Sequence, residues 1–275
     1  MNVRIDSLSR IATIFTVLLV LAACRSSEQR SGNDIDPVGS RPRPQQQPSP
    51  ASPAERARAH TDLGVSYLQI GRFAVALQEL NEALVADPSF VPAHNALGLL
   101  HMELREDDKA KASFEKALRI DPADSETNNN FGLFVCNRGK PKESIKYFLA
   151  ALKNPLYATP EDSYVNAGIC SRRAGDVDSA QVYFERALAA QPNDGRALVN
   201  LAQMHLERKQ LNLARGYLNR YMQSIKSPDA GTLILGVRIE QALGDRSAVM
   251  SYGAQLREKF PDSPETRQFN EGKYE

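Results

Sequence analysis

Apolar positions between residues 57 and 262 recur over a distance much longer than the period of a single helix or strand. An apolar residue followed by a small one stands at Leu63-Gly64, Leu97-Gly98, Phe131-Gly132, Ala167-Gly168, Leu201-Ala202 and Leu235-Gly236, with second members 34, 34, 36, 34 and 34 residues apart. Twelve residues after each come Ala76, Ala110, Ser144, Ala180, Ala214 and Ala248, and four further on come Leu80, Phe114, Phe148, Phe184, Leu218 and Tyr252. Ala83, Ala117, Ala151 and Ala187 extend the phase, which fails in the fifth and sixth units at Tyr221 and Gln255. Asp87-Pro88, Asp121-Pro122 and Gln191-Pro192 close three units, while Pro155, Pro228 and Pro261 do so slightly out of phase.

The pattern predicts two antiparallel helices per unit. Small residues at three of the positions let the helices approach closely, the large residue fills the space between them, and proline cannot continue the second helix. Gly71, Gly139 and Gly175 mark the turn inside a unit, with Gly244 one residue late. A helix pair with two apolar faces cannot bury both alone, so neighbouring units stack. The pattern resembles the tetratricopeptide repeat, and the resemblance covers residues 57–262. It implies an all-α fold: six repeats in a right-handed superhelical solenoid with a concave groove, forming a domain over residues 54–262. Residues 263–275, with Phe269 as the main apolar residue, are expected to cap the stack or fray.

Upstream the pattern is different. Arg4 and Arg10 precede an apolar run from Ile11 to Ala23, too short for the roughly 20 apolar residues of a membrane span, which reads as a secretory signal over residues 1–23. Leu21-Ala22-Ala23-Cys24 resembles the bacterial lipobox, which implies cleavage before Cys24 and its acylation. Several acyl chains at about 0.8 kcal/mol per buried CH₂ would anchor the chain stably. By resemblance to sorted lipoproteins, Arg25 after that cysteine points to the outer membrane. Residues 24–53 are rich in Pro, Gln, Ser and Arg with almost no apolar content, and are expected to form a disordered tether. Polyproline-like extension at about 3.1 Å per residue would let the folded part sit up to about 90 Å from the membrane.

Charge narrows the partners. The chain carries 34 Lys+Arg against 33 Asp+Glu, and removing residues 1–23 with Arg4, Arg10 and Asp6 leaves 32 against 32. A neutral chain lacks the basic excess that drives counterion release, which excludes nucleic acid as the main partner. With 42% hydrophobic and 24% charged residues the body is globular.

Catalytic signatures are absent. His94 and His101 stand seven apart on one helix, yet His101 and His205 share the repeat position of Tyr67, and His60 and His94 share another, so packing accounts for all four. No metal-ligand spacing occurs, and the Gly-Lys at 139–140 lacks the context of a phosphate loop. The expectation is a non-enzyme with no metal, cofactor or small-molecule substrate. The concave face is then the functional surface. In the first two repeats it offers Val65, Leu68, Leu99 and Met102. Further along it offers Asn130, Asn166 and Asn200, each six residues into its unit, with Arg172 and Arg173 nearby. Asparagines presenting a donor and an acceptor could hold the backbone of an extended peptide while the apolar end takes side chains. The alternative is that the asparagines satisfy helix ends and the apolar residues belong to the core.

Within the third and fourth repeats, Asn129-Asn130-Phe131-Gly132, Cys136, Asn154-Pro155-Leu156-Tyr157 and Asn166-Ala167-Gly168-Ile169-Cys170 form a more specific block. The block resembles the type IV pilus biogenesis and stability lipoproteins, pilotins of the PilF/PilW type, with Val135 an apolar variant of an apolar position. The two extra residues of the 36-residue spacing fall at the Asn154–Tyr157 turn. The resemblance implies a non-catalytic outer-membrane lipoprotein facing the periplasm, which binds pilus secretin subunits and helps them reach the membrane and multimerise. A second reading is a lipid-anchored scaffold recruiting other envelope proteins, such as peptidoglycan hydrolases.

Three cysteines are odd in number, and acylation of Cys24 leaves two in an oxidising compartment. Cys136 and Cys170 fall in the first helices of adjacent repeats, near the twelfth and tenth positions of their units. A bridge is geometrically allowed if the Cα atoms come within about 7 Å. Two buried, reduced cysteines packing as small apolar residues is the alternative.

Overall fold

A computed structural model describes residues 51–225 and 227–274. The signal segment, Cys24 and nearly all of the expected tether lie outside the described residues.

Thirteen helices are found among the described residues, twelve of them in six antiparallel pairs. The pairs are α1 (Pro53–Gln69) with α2 (Phe73–Ala86), α3 (Val91–Glu103) with α4 (Asp107–Ile120), and α5 (Ser125–Asn137) with α6 (Pro141–Ala151). They continue as α7 (Pro160–Arg173) with α8 (Val177–Ala190), α9 (Gly195–Glu207) with α10 (Leu211–Ser224), and α11 (Ala230–Leu243) with α12 (Arg246–Lys259). A short α13 (Pro264–Asn270) follows. The solenoid is all-α, as the repeat pattern implies.

What locks each pair is the contact between the paired small residue and the large residue sixteen positions later. A Cβ built on Gly98 would lie 2.5 Å from Phe114, and one on Gly132, Gly168 or Gly236 would lie 2.7, 2.6 or 2.8 Å from Phe148, Phe184 or Tyr252. Glycine therefore lets the aromatic ring lie flat on the backbone of the first helix. Phe114, Phe148 and Phe184 are fully buried there, each worth about 1.5–3 kcal/mol of hydrophobic stabilisation.

Helix ends follow local chemistry. Ser52 caps α1 in a reciprocal capping box with Glu55, and Asp124, Asp176, Asp194, Asp229, Asp245 and Ser263 accept from the backbone of their own helices. The turns inside the repeats need a left-handed residue. Gly139 supplies it at φ 79°, but repeats two and five place Arg105 and Lys209 there at φ 58° and 59°. The sequence pattern marks no turn residue in those two repeats, because only glycine announces such a position.

Each second helix packs against its own first helix and the first helix of the next repeat. First helices also meet one another, α1 with α3, α3 with α5, α5 with α7 and α9 with α11. They therefore line the inner, shorter side of the curve, and their outward stripe forms the concave face. At the far end α13 packs on α11 and α12, with Phe269 buried against Gly253, so the residues after 262 cap the stack.

The concave face as a candidate functional site

The four apolar residues expected on this face have a double role. Val65 and Leu68 are half-buried against Ala76, Leu80, Leu97 and Leu100, and Leu99 and Met102 are half-buried against Phe114, Phe131 and Phe134. Each rests one side on the core and turns the other to the groove. Leu133 and Ile169 stand at the same repeat position as Val65 and Leu99 and are half-buried as well, so the apolar row runs over four repeats before Gln203 ends it. Leu133 and Ile169 extend the row beyond the first two repeats, where the expected residues Val65, Leu68, Leu99 and Met102 lie. The repeat spacing that located Val65 and Leu99 also locates Leu133 and Ile169.

Beside this row the asparagines form a ladder between helices. Asn130 Nδ2 donates to Asn95 Oδ1 of the preceding repeat at 3.1 Å, and Asn166 Nδ2 donates to Asn129 Oδ1 at 3.0 Å. Buried Ser163 donates to the same Asn129 oxygen at 3.0 Å. Asn95, Asn129, Asn130 and Asn166 thus tie α3, α5 and α7 together. Asn166 Oδ1 has no hydrogen-bond partner among the described residues, and its side chain is only half-buried. Asn200 belongs to a separate group: it donates to the Arg196 carbonyl at 2.8 Å and accepts from Arg172 Nη1 at 3.3 Å.

The two arginines are engaged as well. Arg172 pairs with Glu207 at 2.9 Å, linking α7 to α9, and Arg173 donates to Asn137 at 2.7 Å, linking α7 back to α5. Toward the N-terminal ends of the first helices, Arg196 pairs with both Asp162 and Asp194. Glu126 stands next in that row without such a partner among the described residues, and burial, followed by the nearby charges of Asp124 and Asp162, raises its carboxyl pKa.

Cys136 and Cys170 are joined in a disulfide, with Sγ atoms 2.08 Å and Cα atoms 6.1 Å apart. The bridge sits in a buried cluster with Phe148 and Ala167 and ties α5 to α7 under the apolar row. The adjoining Asn154–Tyr157 turn folds through the Asn154 side chain, which accepts from the Leu156 backbone at 2.9 Å. Tyr157 is buried, and burial raises its phenol pKa, whereas Leu156 is 88% exposed.

The histidines are structural. His101 bonds Glu106 at 2.7 Å, His60 bonds Glu79 at 2.8 Å, His94 meets the Pro88 carbonyl at 3.0 Å, and His205 bonds Gln210 at 2.6 Å while stacking on Tyr217. Among the described residues no three His, Cys, Asp or Glu side chains are grouped to hold a metal ion.

Models of the tetratricopeptide repeat match residues 54–125 and 171–234. The type IV pilus assembly protein PilF of Pseudomonas aeruginosa is 30% identical over 215 residues, covering 78% of this chain and 85% of that protein. The chain belongs to this family. The crystal structure of PilW, described as a widely conserved type IV pilus biogenesis factor, superposes with a TM-score of 0.71 at 36% identity, covering 77% of this chain and 97% of that one. The structure of Pseudomonas aeruginosa PilF gives 0.73 at 29% identity, covering 80% and 99%. The similarity thus covers more than three quarters of this chain in each comparison.

Proposed function

We propose that this chain is a pilotin: a non-catalytic lipoprotein, anchored in the outer membrane through Cys24, that binds pilus secretin subunits and promotes their outer-membrane localisation and multimerisation. The observation that carries this reading is the match to PilF and PilW over nearly their whole lengths, with the apolar row from Val65 to Ile169 continuous on the concave face. Stacked repeats offer one continuous surface to an extended partner segment, which suits a protein that must recognise many identical subunits in turn. The lipobox and the tether fit the same task, since an anchored groove on a long leash reaches subunits before they insert.

Deletion of the gene, followed by electrophoresis of heat-resistant secretin multimers, tests the function directly. Multimers should be lost on deletion and restored by the wild-type chain. Cys24→Ala should restore them poorly, with the folded protein released from the outer-membrane fraction. Normal multimers in the deletion strain would overturn the proposal, and Cys24→Ala remaining in the outer membrane in a strain without secretin would overturn the anchor.

A further inference from the structure

The fifth repeat breaks the pattern at one residue, and the break makes a pocket. Where repeats one to four carry Ala83, Ala117, Ala151 and Ala187, all fully buried, repeat five carries Tyr221. Space for the ring comes from Gly195 at the start of α9, where a Cβ would lie 2.9 Å from Tyr221 Cε2. The preceding repeats start their first helix units with Ala57, Val91, Ser125 and Glu161, none of them glycine. The exchange of a small residue for a ring on α10, with the opposite exchange on α9, places an aromatic wall at the junction of repeats five and six. Together with Ile169, Val199 and Ile225 it lines an open cleft of about 460 Å³ on the concave side, rimmed by Arg196 and Asp229. That volume lies within the roughly 300–1,000 Å³ of ligand-sized pockets.

We propose that this cleft is a binding site for one bulky apolar side chain of an extended polypeptide segment that carries a lysine or arginine within about three residues of it. The inference rests on the reading of the concave face as a protein-binding surface and names what one part of it selects. The apolar half follows from the walls. The basic half follows from the adjoining edge, where Arg196 pairs with Asp162 and Asp194, Asp229 lines the cleft with it, and Glu126 lies within reach of the Asp162 charge, so four carboxylates gather about this one guanidinium. Arg196 is already taken by two of these carboxylates. Glu126, disfavoured in its ionised form by burial and like charge, would be relieved by an incoming cation. Neighbouring first helices lie about 8–10 Å apart, and an extended chain advances about 3.3 Å per residue, so the edge on α7 is about three residues from a side chain seated against α9.

The test uses the full chain carrying Cys24→Ala, with isotope-labelled Ile, Leu and Val methyl groups. It is titrated with the acetylated, amidated peptide Gly-Ser-Lys-Ser-Phe-Ser-Gly and with versions in which Lys is replaced by Glu or Phe by Ala. Saturable shifts are expected at the Ile169 and Ile225 methyls, with affinity at least tenfold higher for the parent than for either replacement. Val199→Trp, which fills the cleft, should abolish the shifts while Val65 and Leu99 keep their wild-type resonances, with Val199→Phe as the milder variant should the larger ring disturb the fold. Asp229→Asn keeps the helix cap and should reduce the preference for Lys over Glu at least threefold. Equal affinity for the Lys and Glu peptides, absence of saturation at Ile169 and Ile225, or unchanged binding by the filled variants would overturn the proposal. The secretin reading is judged separately. Methyl shifts lost in Val199→Trp with normal secretin multimers after gene deletion would keep the pocket and reject the pilotin function, whereas multimers lost on deletion with no methyl shifts would do the reverse.

Discussion

Opening the Cys136–Cys170 bridge should destabilise the solenoid at one junction more than elsewhere. The bridge closes a loop over a sequence separation of 34 residues, for which the chain-entropy relation gives about 3.8 kcal/mol at 25 °C. That figure is an upper bound, because compact unfolded chains already restrict such a loop. At roughly 2–4 °C per kcal/mol for a chain of this size, reduction should lower the melting temperature by up to roughly 8–15 °C. Reduction by a phosphine leaves both side chains in place, so no cavity confounds the comparison as Cys→Ala would. Because stability in stacked repeats is a sum over neighbouring interfaces, loosening α5 from α7 should also broaden the transition, with repeats one to three and four to six melting less cooperatively. The assay is calorimetry of the Cys24→Ala protein with and without reductant, paired with thiol titration after denaturation. Two reactive thiols before any reduction, or a melting temperature unmoved by reductant, would refute the argument.

Three further outcomes follow from the packing and charge. Leu68→Glu places a charge where a half-buried leucine meets both core and groove, and should weaken secretin assembly by an amount on the order of 2 kcal/mol; a folded variant with unchanged circular dichroism and normal multimers would count against this end of the groove. Gly98→Ala forces Phe114 off the α3 backbone and should cost about 1–3 kcal/mol in urea unfolding, whereas Gly216→Ala, on a surface with nothing within 4 Å, should be neutral or stabilising. Glu126→Gln addresses a carboxyl whose folded pKa is raised, so its ionised form costs stability above the carboxylate range and the cost vanishes once pH falls below the unfolded value near 4.5. The variant should therefore melt higher than wild type at pH 7 and lose that advantage near pH 4. A constant difference across this range would reject the electrostatic account.

How far the sequence carried the structure differs by the kind of interaction. The lock between Gly98 and Phe114 is legible because it depends on residue size at a fixed separation along one chain segment, which a repeat displays six times. The asparagine ladder is only half legible. Asn130, Asn166 and Asn200 stand out by phase, but whether they meet a peptide or each other depends on distances between helices that spacing does not encode. Asn95 and Asn129, which complete the ladder, sit one position earlier in their units, outside the phase that singles out the other three. The opposite case is Leu133 and Ile169, which the phase did contain, since they continue Val65 and Leu99 at the repeat distance. Arg105 and Lys209 are illegible in principle: a left-handed turn is announced by glycine, and their neighbours impose it without one.

The departures from the repeat, rather than its consensus, give this groove its particular chemistry. Consensus positions face inward between helices and are spent on stacking, so they are alike in stacked repeats whatever those repeats bind. The regular stretch over repeats one and two supplies only an apolar strip. At the junction of repeats three and four, two extra residues form the Asn154–Tyr157 turn, and the Cys136–Cys170 bridge fixes the two first helices beside it at a Cα separation of 6.1 Å. At the junction of repeats five and six, Tyr221 replaces an alanine and Gly195 makes room for it, beside an open cleft that both residues line. A change at Tyr221 should therefore alter which segment is held. Alanine there removes one wall of the cleft and should lower affinity for the Phe-containing peptide; because the ring is only 8% exposed and packs with Leu218, Leu235 and Ile239, and Gly195 leaves its space unfilled, the variant should also lose about 3–5 kcal/mol of stability and is compared below its lowered melting temperature. Unchanged affinity for that peptide in the folded variant would mean that the ring serves the core and that the cleft is only its by-product.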